Sequence, residues 1–418
     1  MKKTKRIYLD YAASTPIGPS VLLAMKNAEK LAWANPSSLH NEGERAKNIL
    51  DEARKEVAKI LHCKASEVFF TSGGTEGANI AVLGVIEKAI EVFKNLNLPK
   101  GQARISKLPH IITSTIEHPA ILEPIKHLLK RGEIEVSFIS PDGEGLITPK
   151  SIEKEIKANT ILVCIMHSNN EIGTIQPIRR ISSLLKSHTP SFISHTPYLL
   201  VDASQSVCYE DVSIERLGAD ILILDGIKMY GPRGAGILVV KHAIAMIPIV
   251  FGGGQEHGLR SGTENVVAAV GLAEALKICE KTREKESVRL KKLRDYAINK
   301  ILTQIPGSSL NGSQEYRLPN NINVCFLKEI REHLSREARA ERDAKWDSEF
   351  LVIKLDTLGF AVSAASACHN LSLENSSYVI ESLGKPECAS SSLRFTLGHQ
   401  TTKSDLDKLI AVLKKIVL

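Results

Sequence analysis

The chain has 418 residues, 43% hydrophobic and 24% charged, an ordinary globular balance with room for one large domain and one smaller one. Its 54 Lys+Arg against 47 Asp+Glu leave a formal charge of +7. That excess is spread along the chain, so direct nucleic-acid binding is not expected. No apolar run approaches a membrane span, MKKTKR is followed by no apolar leader core, and the 7 cysteines contain no C-x-x-C pair. A cytoplasmic protein with no metal site and no membrane association is expected.

In chain order, periodicity predicts helices over 20–33 and 40–61, then a strand ending in Phe69-Phe70. Thr71-Ser72-Gly73-Gly74-Thr75-Glu76 follows and opens a helix over 75–95. A glycine pair there lets backbone amides crowd an anion, with Thr75 adding a hydroxyl, although a plain helix cap reads equally well. A strand at 110–113 leads to Glu117-His118 and a helix over 119–131. His118 at a strand's carboxyl end can stack on an aromatic cofactor and shuttle protons, or simply hydrogen-bond. Strands at 134–139 and 161–166 follow, and the second ends in His167-Ser168-Asn169-Asn170-Glu171. Two adjacent amides there either bind a ligand or cap the next turn.

Strands are then predicted at 198–202, 219–224 and 236–240. The alternation implies a mostly parallel, doubly wound α/β sheet with its site at the strands' carboxyl ends. Two of these strands end in chemistry: Asp202-Ala203-Ser204-Gln205 closes one, and Lys228 stands just past the other. A half-desolvated lysine is a nucleophile toward carbonyls, and a carboxylate on the same edge can pair with a pyridinium nitrogen. Together they suggest a pyridoxal phosphate site; an ordinary snorkelling lysine is the alternative. The glycine turn is not a Walker loop, and no G-x-G-x-x-G opens the first unit, which counts against a nicotinamide enzyme.

A long charged helix from 264 to 303 bridges to a smaller α+β region, with strands near 320–327 and 391–396 and a closing helix near 402–417. Residues 182–197 carry Ser-His-Thr-Pro twice and read as loop. Residues 328–348 are dense in both charge signs and read as a solvated helix. Cys368 ends a run of small residues, Ser363 to Ala367, and is either a mobile nucleophile or a small buried hydrophobe. Arg394 among strand residues fits a carboxylate grip or an ordinary salt bridge.

The order of these motifs is specific. YLDYAASTP from Tyr8, TSGGTE from Thr71, Glu117-His118, HSNNEIG from His167, DASQ from Asp202, KMYGPRG from Lys228, RSGT from Arg260, Ser366-Ala367-Cys368 and RFTLG from Arg394 together resemble the group I cysteine desulfurases of NifS/IscS type, within the class V aminotransferase family. The resemblance runs from about residue 7 to 415. It implies a homodimeric pyridoxal phosphate enzyme of fold type I. The large domain (15–265) would hold a mostly parallel seven-stranded sheet. The small domain (1–14 and 266–418) would carry the catalytic-cysteine loop. The implied reaction takes sulfur from L-cysteine, leaves L-alanine and passes a persulfide to an acceptor protein, either an iron–sulfur scaffold or a tRNA-thiolation protein.

Carried over by position, Lys228 matches the Schiff-base lysine and Asp202 the partner of the ring nitrogen. Gln205 and Asn170 match contacts on the ring-hydroxyl side, and His118 matches the stacked acid–base histidine. Gly74 and Thr75 match the phosphate cradle, and Thr263 would reach the phosphate in the neighbouring subunit. Asn170 and Arg394 match the anchors of the substrate carboxylate, and Cys368 matches the persulfide carrier. A selenocysteine lyase and a non-catalytic homologue are the alternatives.

The family's Ser-Gly-His-Lys is replaced by Asp225-Gly226-Ile227-Lys228, which removes two phosphate ligands and adds a carboxylate. That implies weaker cofactor retention, a loss of about 2–4 kcal/mol, with Arg233 or Arg260 as the expected neutralisers of Asp225.

Overall fold

The computed structural model describes residues 6–95, 108–187, 196–326, 348–364 and 376–417. Cys368, nearly all of the charged stretch 328–348 and most of the Ser-His-Thr-Pro quartets lie outside those residues.

The predicted apolar runs become strands because their alternate side chains are buried on both faces. In chain order the strands are β1 (Ile7–Tyr8), β2 (Val68–Thr71), β3 (His110–Ser114), β4 (Glu135–Ile139), β5 (Thr160–Cys164), β6 (Tyr198–Asp202), β7 (Ile221–Asp225) and β8 (Gly236–Val240). Seven of them, β2 to β8, form one sheet in the order β2-β8-β7-β6-β5-β3-β4. The pairs from β7 through β4 are parallel, whereas β8 runs antiparallel to both of its neighbours. Val201, Leu222, Leu224, Ile237 and Val239 enter one core. Leu200, Ile221, Ile223, Leu238 and Val240 enter the other. Two-sided burial explains why these strands read as nearly continuous apolar runs rather than as clean alternation.

Helices cover both faces: α1 (Pro19–Leu31), α2 (Asn41–Leu61), α3 (Gly74–Asn95), α4 (Pro119–Lys130), α5 (Pro149–Glu153), α6 (Ile178–Ser187) and α7 (Ile214–Leu217). The expected loop at 182–197 is therefore helical as far as Ser187, because Ile178, Ile181 and Leu185 give α6 a buried stripe. The predicted bridging helix is α8 (Val266–Gln304), 39 residues and about 58 Å long. Asn265 caps it by accepting from the Ala268 amide at 3.0 Å.

Beyond α8 stand β9 (Ser308–Leu310), β10 (Asn321–Phe326), β11 (Phe360–Ala361), β12 (Ser363–Ala364) and β13 (Ser392–Thr396). They form a four-stranded sheet, β12-β13-β10-β9, and a two-stranded one in which β11 pairs with the N-terminal β1. Ser363 and Ala364, expected in a run too small to anchor anything, are buried strand residues opposite Arg394 and Leu393. Cys325 and Cys388 form a disulfide across 63 positions, a pairing that spacing alone does not disclose. They sit in a small satellite core with Ile116, Ile172, Val379 and Ile380.

Candidate active site

The carboxyl ends of β2, β3, β5, β6 and β7 open on one cleft. It is lined by Gly74, Thr75, His118, Asn170, Asp202, Gln205, Lys228 and Arg394, together with Asp225. All the candidate residues except Thr263 and Cys368 thus converge. Thr263 is exposed on the loop before α8 and is absent from this cleft.

Lys228 leaves a single 3-10 turn after β7 and donates to the carbonyls of Ala12 at 2.8 Å and Ala13 at 2.6 Å. Gln205 donates to the same Ala12 carbonyl at 3.0 Å. The YLDYAAS motif therefore acts through its backbone, as a strap over the amine. Two residues later Tyr230 takes a left-handed φ of 59° and stacks on His399 with ring centroids 4.0 Å apart. A bulky residue in that region is strained, which fixes the turn carrying Lys228. Asp202 accepts from the Ser204 amide at 2.9 Å, so its carboxylate is aimed by its own turn.

The paired amides divide their roles. Asn169 is structural: it donates to Ile116 O and accepts from the amides of Glu171 and Ile172. Asn170 keeps a buried Oδ1 with no partner, while its carbonyl accepts from Arg394. Arg394 also pairs with Asp10 at 3.0 Å, and its Nε is buried without an acceptor. A buried orphan donor and a buried orphan acceptor at one cleft are costly unless a ligand fills them. His118 serves as the N-cap of α4, accepting from the Ala120 amide at 3.1 Å.

At the start of α3, Gly236 makes the close approach possible, since a Cβ there would stand 2.6 Å from Gly73. Gly73 has φ +148°, another conformation glycine tolerates best. The expected neutralisers of Asp225 are engaged elsewhere: Arg260 pairs with Glu76 at 3.1 Å, and Arg233 reaches Ser14 at 3.4 Å. That expectation is not met: Glu76, in the first turn of α3, pairs with Arg260.

Two carboxyls that the sequence left unread flank the site. Glu117 accepts from Ser114 at 2.6 Å and from the Met166 amide at 3.0 Å, and burial pushes its pKa up to about 8. Glu171 accepts from Ser377, and burial pushes it up to about 7. Their signal was present, Glu117 beside His118 and Glu171 beside Asn170, but burial was not readable. A carboxyl raised in the fold holds its proton where the unfolded chain, at 4.5, has lost it. Stability from these groups is therefore full below about pH 4.5 and falls as pH rises through 7 to 8. Calorimetry between pH 6 and 8.5 should show a falling Tm, and Glu117→Gln should flatten that slope; a Tm that rises across the interval contradicts the assignment.

Comparison with known proteins agrees with this geometry. Residues 7–409 match the Aminotransferase class-V family model. A relative from Dictyoglomus turgidum named cysteine desulfurase IscS is 39% identical over 414 residues, covering 99% of this chain and 95% of that protein. A solved NifS-like protein superimposes with TM-score 0.82 at 29% identity, covering 98% of this chain and 99% of that one. A solved structure described as SspA in complex with cysteine has TM-score 0.72 at 30% identity, covering 94% and 99%. The chain belongs to the class V aminotransferase family, among its NifS/IscS-type cysteine desulfurases.

Proposed function

We propose that this chain removes sulfur from L-cysteine, releases L-alanine and carries the sulfur as a persulfide on Cys368. The observation that supports it most is the convergence of Lys228, Asp202, Asn170 and Arg394 on one cleft. The orphan atoms on Asn170 and Arg394 fit a bound pyridoxal phosphate and an amino-acid carboxylate.

Pyridoxal phosphate, when bound, supplies a carbonyl for an amine and a protonated ring that draws electrons. Lys228 would hold it covalently, Asp202 would keep the ring nitrogen protonated, and Gln205 and Asn170 would orient the ring's hydroxyl side. His118 would stack on the ring, and Gly74 and Thr75 would face its phosphate. With its amine freed, Lys228 takes the substrate's α-proton. The Cys368 thiolate attacks the substrate sulfur and forms an S–S bond. The substrate's Cβ–S bond breaks, its electron pair stays with carbon, that carbon takes up a proton, and Lys228 returns a proton to the α-carbon to leave alanine.

Arg394 and Asn170 hold the substrate carboxylate. Replacing Arg394 by alanine should raise KM for L-cysteine about 10- to 150-fold, the value of a charge-assisted hydrogen bond, with a smaller change in kcat. Steady-state kinetics at saturating cofactor reads this, and an unchanged KM rejects the anchor.

The sulfur acceptor, an iron–sulfur scaffold or a tRNA-thiolation protein, and a homodimeric assembly belong to the same proposal, as does the division into domains 15–265 and 1–14 with 266–418. The dimer fits Trp33 at 69%, Leu39 at 102% and Phe251 at 80% exposure, three large apolar residues left open to solvent. Thr263, exposed on the loop before α8, would then serve the partner's site. A reducing cytoplasm suits a working thiolate, and the Cys325–Cys388 disulfide, nearly inaccessible to solvent, is shielded from soluble reductants. No helix among the described residues is long and apolar enough to cross a membrane.

The test is direct: incubate the full chain with pyridoxal phosphate and L-cysteine, then measure alanine and sulfide. No alanine rejects the enzyme, and selenocysteine turnover without cysteine turnover makes it a lyase.

A further inference from the structure

The phosphate end of the cleft is occupied by the chain's own carboxylates. Asp225 closes β7 at the point where α3 begins. One of its oxygens accepts from the Gly74 amide at 3.2 Å and the other from the Ile227 amide at 3.1 Å. Gly74 is the first residue of α3, so this amide belongs to the set of unpaired donors that gives a helix start its affinity for anions. Glu76 takes a second donor of the same turn, the Ser72 amide, and also binds Arg260. Arg260, on the loop beside this turn, is held by Glu76. Two amides at this turn, those of Ser72 and Gly74, and the arginine beside it are therefore already engaged by negative charge belonging to the protein.

We propose that Asp225 is a built-in anion that competes with the cofactor's phosphate for the start of α3, so that this site gains little affinity from the phosphate and holds its cofactor loosely. The inference rests on the proposed pyridoxal phosphate chemistry and deepens it. A dianion entering the cradle must displace the Asp225 carboxylate from the Gly74 amide or sit beside it. Displacement loses a charge-assisted hydrogen bond, and coexistence leaves two like charges close together. Either way the phosphate's contribution is reduced, while the ring and aldehyde would be held by Asp202, Gln205 and Lys228, whose hydrogen bonds run to Ser204, Ala12 and Ala13. Affinity for pyridoxal, which lacks the phosphate, should thus be close to that for pyridoxal phosphate. The ratio of the two dissociation constants isolates the effect, because everything except the phosphate cancels.

Equilibrium dialysis of the cofactor-stripped full chain against each compound gives that ratio. For the wild type a preference for the phosphorylated form below about tenfold is expected. Asp225→Ser should raise the preference about 10- to 100-fold, through tighter pyridoxal phosphate binding with pyridoxal binding unchanged. Asp225→Asn removes the charge at constant size and should move the ratio the same way, so the test survives if the serine variant folds poorly. Inorganic phosphate should compete with pyridoxal phosphate more strongly in both variants than in the wild type. A wild-type preference above about 100-fold, or variants that shift both ligands equally, overturns the inference. Alanine formation at saturating cofactor is read separately. Its absence beside a shifted ratio rejects the desulfurase reading and leaves the competition standing; its presence beside an unshifted ratio does the reverse.

Discussion

Replacing Lys228 by alanine should abolish alanine formation from L-cysteine, by at least about 10³- to 10⁴-fold, while leaving the protein folded. The size of the effect follows from the number of tasks one amine performs. On the proposed chemistry it would hold the cofactor and, once freed, take the α-proton. Its Nζ is directed by the Ala12 and Ala13 carbonyls at 2.8 and 2.6 Å, and no second lysine among the described residues lines the cleft. The fold should survive because the turn is held by its backbone. The Ile227 carbonyl accepts from both the amide and the hydroxyl of Thr15 at 2.8 Å, and the Tyr230 amide donates to the Thr15 hydroxyl at 2.8 Å. None of these bonds involves the Lys228 side chain. Thermal melting checks the fold, and partial rescue by a small added amine would separate lost chemistry from lost structure. Turnover within tenfold of wild type would place the reactive amine elsewhere.

The central sheet was legible because each of its units ends an apolar run with a polar, chemistry-bearing turn. Strands β6 and β8 match their predicted spans, and most other boundaries moved by one or two residues. The two-residue strands β1, β11 and β12 were not legible. They exist through pairing across the chain, Ile7 with Phe360 and Ser363 with Arg394, and such short segments carry no periodicity of their own. The site divides in the same way. Residue types at strand ends pointed to Lys228, Asp202 and Asn170, and the order of the motifs, rather than any single one, gave them roles. What sequence could not supply was direction: that Arg260 turns to Glu76, or that the Asp225 carboxylate turns into the Gly74 amide. Those depend on distances of an ångström or two between elements far apart in the chain.

Replacing Cys368 by alanine should stop both alanine release and sulfur loading of the protein, by at least about 10³-fold, without weakening cofactor binding. Cys368 lies outside the described residues, yet both flanks of its segment are fixed at the cleft. On one side Ser363 pairs in register with Arg394, the residue assigned to the substrate carboxylate. On the other, Ser377 donates to the buried Glu171, and the Tyr378 hydroxyl donates to the Glu117 carbonyl at 2.7 Å. The segment between therefore starts and ends on residues that adjoin Asn170 and His118, which is where a nucleophile for the substrate sulfur has to be delivered. The proposed roles divide the reaction in time: Lys228 would loosen the substrate's α-proton, and Cys368 would act only afterwards, to take the sulfur. The alanine variant should then still exchange the α-hydrogen of L-cysteine with deuterated solvent while releasing no alanine, and Lys228→Ala should do neither. Mass spectrometry of the wild type after brief exposure to L-cysteine should find one added sulfur on the peptide containing Cys368. Alanine released by Cys368→Ala at the wild-type rate would mean that sulfur departs without a protein thiol, and the persulfide assignment would fall while the Lys228 chemistry stood.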